Sequence, residues 1–420
     1  FRRVLFRSVN SNRAMILLAL IVAAPGPVLR LAGLHMGTST DTALYGISIV
    51  SAAFLLGWAA EAAEVDITQG LAVAFVALIA VMPEYAVSVA FAWKAGVDPA
   101  FAPYAVANMT GGNRLLIGAA WPLLVGLVWW RTRAHALVLE RSYAVEMLTL
   151  AAVSIYAFTI PLKGSIELYD AAVLFLAFVA YMWIIARAPS EEPELVGPAR
   201  LIGSLPRLQR RTVLVALFLY AALSILTSAE PFAEGLIHTG AQFGINEFIL
   251  VQWLAPLASE APEFLVAGIL AYRGRASVGM GALLSSKVNQ WTLLVGGLPI
   301  AFALSSGGWH GLPLDARQNE EMFLTAAQSV FAVAVVLSLS LSRWEALALF
   351  ALFSVTFVVP STEVRFIAAV VYVLLTLGLL VVQRHEVPRI WRSARETIRE
   401  NTAAHAPHAA SAAGGDRHAG

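Results

Sequence analysis

The chain has 420 residues, of which 59% are hydrophobic and only 13% charged, at a mean hydropathy of +0.74; no water-soluble domain hides that much apolar surface in its core, which excludes a soluble enzyme. The net charge of +1 gives no reason to expect a nucleic-acid partner. The absence of cysteine removes disulfides, thiolate nucleophiles and Cys-ligated metals, so redox chemistry is not expected.

Residues 1–14 carry four arginines and precede the first methionine, and read as a cytoplasmic arm or as a remnant foreign to the protein. The apolar run over 15–36 is too long for a signal peptide and lacks a small-residue cleavage site. It reads as an additional N-terminal transmembrane helix, kinked at Pro25-Gly26-Pro27. Further runs follow near 42–62, 71–93, 103–129, 143–162 and 168–187, each about 20 residues and so long enough to cross the hydrocarbon layer as a helix. A polar stretch rich in Pro, Glu and Arg over 188–211 reads as a cytoplasmic linker between two halves. The second half repeats the pattern near 212–236, 245–271, 278–306, 323–342 and 344–360. An additional C-terminal helix is expected over 364–383, then a tail over 384–420 that is basic and afterwards Ala/His/Gly-rich and disordered. The expected fold is an all-α polytopic membrane protein of about twelve transmembrane helices.

Short cytoplasmic loops collect Lys and Arg. With the N-terminus inside, the inner loops hold Arg131, Arg133, Arg141, Arg187, Arg200, Arg207, Arg210, Arg211, Arg273, Arg275 and Arg343. The outer loops then hold only Lys94, Lys163, Arg317 and Arg365. This parity places both termini in the cytoplasm, and the plasma (inner) membrane is the expected location.

The two halves, 42–187 and 212–360, carry the same landmarks in the same order. In the first, Ala60-Glu61-Ala62-Ala63-Glu64 precedes Met82-Pro83-Glu84, then Asn108-Met109-Thr110-Gly111-Gly112-Asn113, then Trp121-Pro122. In the second, Ala229-Glu230-Pro231-Phe232-Ala233-Glu234 precedes Ala261-Pro262-Glu263, then Gly281-Ala282-Leu283-Leu284-Ser285-Ser286-Lys287, then Leu298-Pro299. The helix bearing Glu84 rises from inside to outside, while the one bearing Glu263 descends. Two inverted five-helix repeats with proline-interrupted helices are the pattern of secondary transporters whose site lies at the midplane.

A carboxylate inside an apolar helix is costly unless paired, protonated or hydrated. Glu84 and Glu263 each follow a proline, which frees a backbone carbonyl beside the acid; carboxylate and carbonyl oxygens suit sodium, calcium or a proton. The alternative for either acid alone is a helix-end residue or a partner to an arginine. Asn108, Thr110 and Asn113 in one half and Ser259, Ser285, Ser286 and Asn289 in the other supply neutral oxygens, or serve only as interhelical hydrogen-bond glue. Glu260, one turn before Glu263, is a third candidate acid or a partner to Lys287. Lys287 itself has three readings: a fixed stand-in for a bound monovalent cation, a proton carrier, or a structural neutraliser of Glu260 or Glu263. The Glu61/Glu64 and Glu230/Glu234 pairs read as boundary residues in water rather than an ion entry.

This arrangement resembles the cation/calcium exchanger superfamily, whose inverted repeats each carry a Gly-Thr-Ser-Leu-Pro-Glu-like motif and, on the next helix, a Gly-Asn-x-x-Gly-Ser-Asn-like motif. The first stands here as Ile79-Ala80-Val81-Met82-Pro83-Glu84 and Ala258-Ser259-Glu260-Ala261-Pro262-Glu263, the second as Ala107 to Asn113 and Gly281 to Lys287. The resemblance implies that Glu84 and Glu263 are the central metal ligands, that Asn113 assists them, and that the halves rock to give alternating access. Ala80 and Val81 replace hydroxyl ligands and Lys287 adds positive charge, both of which weaken a calcium site. The expected function is therefore secondary active cation antiport, with proton exchange leading and sodium/calcium exchange as the alternative. An intramembrane enzyme and a non-transporting homologue are the weaker alternatives; the sequence has no HExxH zinc motif. No cofactor is expected. Calcium, sodium or protons are substrates, the lipid bilayer is the partner, and a homo-oligomer stays open.

Overall fold

The computed structural model describes residues 2–66, 82–187 and 195–403. Twelve helices take the apolar segments in turn: α1 (Ser11–Ala32), α2 (Thr38–Ala63), α3 (Met82–Val97), α4 (Pro99–Thr132), α5 (Arg141–Lys163), α6 (Leu168–Ile185), α7 (Arg207–Phe243), α8 (Glu247–Tyr272), α9 (Ala276–Ser306), α10 (Ala316–Val336), α11 (Arg343–Val358) and α12 (Thr362–Val382). Among the described residues, nine of them are long and apolar enough to cross a bilayer. The start of the expected 71–93 helix, up to residue 81, lies outside the described residues. In α1 the helix breaks at Ala24 and restarts at Pro25, where proline fits a first turn because its missing N–H is unneeded there.

Several boundaries move, for physical reasons. The helix α10 starts at Ala316 rather than 323, because Arg317, Glu320 and Glu321 lie within the helix instead of marking a loop. Buried Glu321 accepts from Arg114 of α4 at 2.6 Å, and Arg114 also donates to Thr356 of α11 at 2.6 Å. Arg365 of α12 bonds Glu320 at 2.9 Å and sits 3.5 Å from Glu321, so one buried charge network joins four helices. Part of the expected linker is helical: Pro198–Gly203 forms one turn and a half, with Ala199 and Ile202 buried in a cluster with α1, α2 and α7. The basic part of the tail forms a further helix, α13 (Glu386–Ala403), which seats Ile390 and Ala394 in the main core against α5 and α6. Residues 404–420, expected to be disordered, lie outside the described residues.

Two short antiparallel clips report the symmetry of the halves. Strand β1 (Ala136–Val138), in the α4–α5 loop, pairs with β4 (Ser340–Ser342), in the α10–α11 loop; β2 (Ser165–Ile166), in the α5–α6 loop, pairs with β3 (Leu312–Pro313), in the α9–α10 loop. Exchanging the two halves exchanges the two clips. Loops that hydrogen-bond each other lie on one side of the membrane, so each clip agrees with the parity read from the arginines.

The largest helix–helix contact joins α2 and α7, the first helix of each half. Small residues let them approach: Gly46 faces the Phe232 ring and Gly235 faces Thr42, with no room for a Cβ at either glycine. Just past the end of α2, Asp66 is gripped by Arg210 of α7 through two bonds of 2.7 and 2.8 Å. The guanidiniums of Arg210, Arg211 and Arg207 hold the Asp66 carboxyl below its ordinary range, so this tie stays ionised at neutral pH. Farther along α7, Arg30 and Lys94 meet Glu230 at 2.7 and 3.2 Å, and Lys94 also bonds Glu234. Glu230 and Glu234 are half-exposed, as boundary residues are.

Candidate cation site

Four helices, two from each half, converge in the interior. Glu84 stands on α3, Glu260 in the middle of α8 and Gln290 in α9, and all three side chains are buried. The Gln290 amide donates one hydrogen bond to Glu84 Oε2 at 3.1 Å and another to Glu260 Oε1 at 2.6 Å. Its two hydrogens thus bridge one acid from each repeat. The fourth side of this group is the backbone of α4 at Gly112.

Local sequence explains the approach. A Cβ on Gly112 would lie 2.5 Å from Glu260 Oε1 and 2.8 Å from Glu84 Oε1, so only glycine leaves both carboxyls in place. A Cβ on Gly111 would lie 1.7 Å from the backbone carbonyl of Gln252 in α8. That carbonyl sits in a π-helical turn, Leu250–Leu254, and Pro256 has no N–H to offer it four residues on. Similar π-helical turns occur at Leu116–Ala120 in α4 and Gln290–Leu294 in α9, beside the site residues of those helices. The two glycines therefore differ in consequence. In Gly112→Ala the clashing atoms are the ends of flexible side chains; the protein is expected to fold, with cation binding at least about tenfold weaker because the acids are pushed apart. In Gly111→Ala a backbone must move, and the expected result is a loss of folded protein, read as yield and thermal midpoint.

Glu263, expected as the partner of Glu84, has no hydrogen bond to Gln290. It lies one turn beyond Glu260, half-buried, with Oε2 enclosed and unpartnered among the described residues, and within electrostatic reach of Glu84 and Glu260. The acid brought against Glu84 is Glu260. Asn113 does not offer the free oxygen expected of it. Buried Lys287 donates to its backbone carbonyl at 2.9 Å and to its Oδ1, while its Nδ2 bonds Met109 O at 3.0 Å. Lys287 thus reaches across to α4 of the other half, rather than bonding Glu260 or Glu263, and its charge acts on Glu84 and Glu260 from there.

The remaining expected residues divide. Asn108 is buried and donates to Ser88 of α3 at 2.6 Å, leaving Oδ1 unpartnered among the described residues. The hydroxyls of Thr110 and Ser259 are buried and donate to carbonyls of their own helices, Val106 and Ala255 among them. Ser285 lies 3.0 Å from Tyr181 of α6; Ser286 is half-buried on α9.

Besides Asn108 Oδ1 and Glu263 Oε2, the enclosed oxygens without a partner among the described residues include Glu84 Oε1, Glu260 Oε2 and Gln290 Oε1. An enclosed interior that leaves so many acceptors without a protein partner among the described residues suits a hard cation or protons. No cluster of three or more His, Asp or Glu among the described residues holds a metal alone, so neutral oxygens must complete any cation shell. Two carboxylates sharing one amide in low dielectric cannot both stay charged without a counter-charge.

Gln290 and Gly112 have no role in the sequence reading, although the signal for Gln290 is there. Asn113 precedes Pro122 by nine residues, and Gln290 precedes Pro299 by the same nine. Aligning the second half on Lys287 instead hides this equivalence.

A sequence profile described as sodium/calcium exchanger protein matches residues 42–187 and 213–362. A comparison with curated proteins found no match. Among solved structures, the chain is similar to the H+/Ca2+ exchanger CAX, at 43% identity and a TM-score of 0.90, over 93% of this chain and 99% of that one. It shares its fold with YfkE, at 16% identity and a TM-score of 0.61, over 85% of this chain and 99% of that one. The sodium-calcium exchanger NCX_Mj matches at 17% identity and a TM-score of 0.50, over 83% and 99%. The profile match across both halves and the 43% identity over nearly the whole length establish that the chain belongs to the sodium/calcium exchanger family of integral membrane proteins, within the cation/calcium exchanger superfamily.

Proposed function

We propose that the protein is a secondary active antiporter that exchanges calcium for protons at the Glu84–Gln290–Glu260 group by alternating access. The observation that carries this reading is the pairing of two buried acids, one from each inverted repeat, through a single amide. Such a pair needs either a divalent cation or protons to stay in a dry site, and the two occupants exclude one another. That exclusion is antiport at its simplest. Three acids, Glu84, Glu260 and Glu263, set against the one ammonium of Lys287 leave two negative charges when all are ionised, which matches one divalent ion. The solved relative at 43% identity is an H+/Ca2+ exchanger.

The moving parts are the α2/α7 pair, with α1, against the remaining helices. Their inner halves have a hydrophobic cluster of their own, separate from the main core. The site residues lie on α3, α4, α8 and α9, so sliding of α2 and α7 opens them to one side at a time. We place the protein in the plasma (inner) membrane with both termini inside, acting as an exchanger rather than an enzyme, with small inorganic cations as its substrates.

The test is calcium flux in proteoliposomes. An outward proton gradient is expected to drive calcium uptake that collapses with a protonophore, while an outward sodium gradient at constant pH drives none. Uptake that follows sodium instead of pH would replace this reading with sodium/calcium exchange. Absence of flux under every gradient would leave a non-transporting protein.

A further inference from the structure

A second buried acid lies apart from the cation site. Glu146, in the first turn of the long helical run of α5, is 6% exposed. Its Oε1 accepts from the Tyr181 hydroxyl of α6 at 3.5 Å, and that hydroxyl lies 3.0 Å from Ser285 Oγ of α9. Glu146 Oε2 is enclosed, with no partner among the described residues. The ionisable groups around it are Tyr181 from α6 and, next to Tyr181, Tyr143, which packs on Gly281 of α9. From α9, α10 and α13 no charged side chain among the described residues forms an ion pair with Glu146. A carboxyl with no countercharge in such a place is costly as an anion and tolerable as an acid.

We propose that Glu146 is a proton-binding site separate from the cation site, whose occupancy is read by α9 through Tyr181 and Ser285. The Glu146–Tyr181–Ser285 chain has two self-consistent arrangements, because a hydroxyl both donates and accepts. When Glu146 carries a proton, it donates to Tyr181, and Tyr181 donates to Ser285. When the proton leaves to water, Ser285 donates to Tyr181 and Tyr181 donates to the carboxylate. Each protonation therefore reverses the bond that reaches α9, the helix that carries Lys287 and Gln290 into the cation site. Coupling of this switch to flux rests on the antiport reading above; proton binding at Glu146 does not.

Infrared difference spectra between acid and alkaline pH, on the full chain in lipid, test the site without transport. The unaltered protein is expected to show a protonated-carboxyl band that Glu146→Gln removes and that Tyr181→Phe moves, since the bonded hydroxyl is gone. In proteoliposomes both variants are expected to keep their maximal calcium uptake at optimal pH, with the pH midpoint displaced by about one unit, a tenfold change in proton activity. An infrared band untouched by either substitution overturns the proton site. A removed band with an unmoved midpoint overturns its link to α9. Flux indifferent to pH in the unaltered protein defeats the antiport reading, while the infrared result still decides on Glu146.

Discussion

Proteoliposomes carrying Glu260→Gln are expected to take up calcium at about 1% of the unaltered rate or less, and Glu84→Gln should match it. Each substitution keeps the shape of the side chain and the bond to Gln290, with the glutamine oxygen as acceptor, while removing a charge that faces the other acid. Losing one charged ligand from a buried site is worth roughly 3 kcal/mol, which is about a hundredfold in affinity. Folding should be spared or improved, since one of two crowded carboxyls becomes neutral, and thermal midpoints would show it. Glu263→Gln is the discriminating control. Because Glu263 stands a turn away and makes no bond to Gln290, its loss is expected to cost about tenfold or less, chiefly through the weaker field. The reverse order of effects, with Glu263→Gln silencing transport and Glu260→Gln sparing it, would sink the pairing of Glu84 with Glu260.

That control also marks where the sequence stops being readable. Hydropathy and the placement of arginines locate the membrane segments and the parity of the loops, because both depend only on one residue's cost in lipid. The inversion of the halves is legible for the same reason, and the two β clips agree with it. Which of two acids one turn apart meets a partner from another helix depends instead on crossing geometry. Here that geometry is set by Gly111 against the Gln252 carbonyl and by π-helical turns, neither of which leaves a composition signal. Charge inside a helix misleads in a further way. Glu321 and Arg365 look like punctuation in a linear scan, and Arg114 is passed over inside an apolar run, yet the three meet in the interior and fix α4 to α10, α11 and α12. The same blindness hides Glu146, whose partner Tyr181, and Tyr181's own partner Ser285, are remote in the chain.

Replacing Lys287 by glutamine is expected to create a sensitivity to sodium that the proposed calcium/proton exchange does not require. In the structure the ammonium holds both oxygens of Asn113, the neutral ligand that the family resemblance places beside the acids. A fixed cation there occupies the electrostatic position of a mobile one, and it cannot leave with the cycle. At an effective dielectric of about 20, a fixed unit charge within several ångströms of a carboxylate contributes on the order of a few kcal/mol, enough to disfavour a monovalent ion by roughly tenfold to a hundredfold. Without it, the Asn113 oxygens and one more net negative charge become available together, which is what sodium binding needs. Calcium uptake by Lys287→Gln should accordingly fall as external sodium rises, and an outward sodium gradient should begin to drive it; potassium, being larger, should do so less. Lys287→Arg keeps the charge and is expected to remain indifferent to sodium even if the longer side chain slows transport. If Lys287→Gln responds to sodium no more than the unaltered protein does, the ammonium does not set sodium selectivity, which must then arise from the number of oxygens around Glu84 and Glu260 alone.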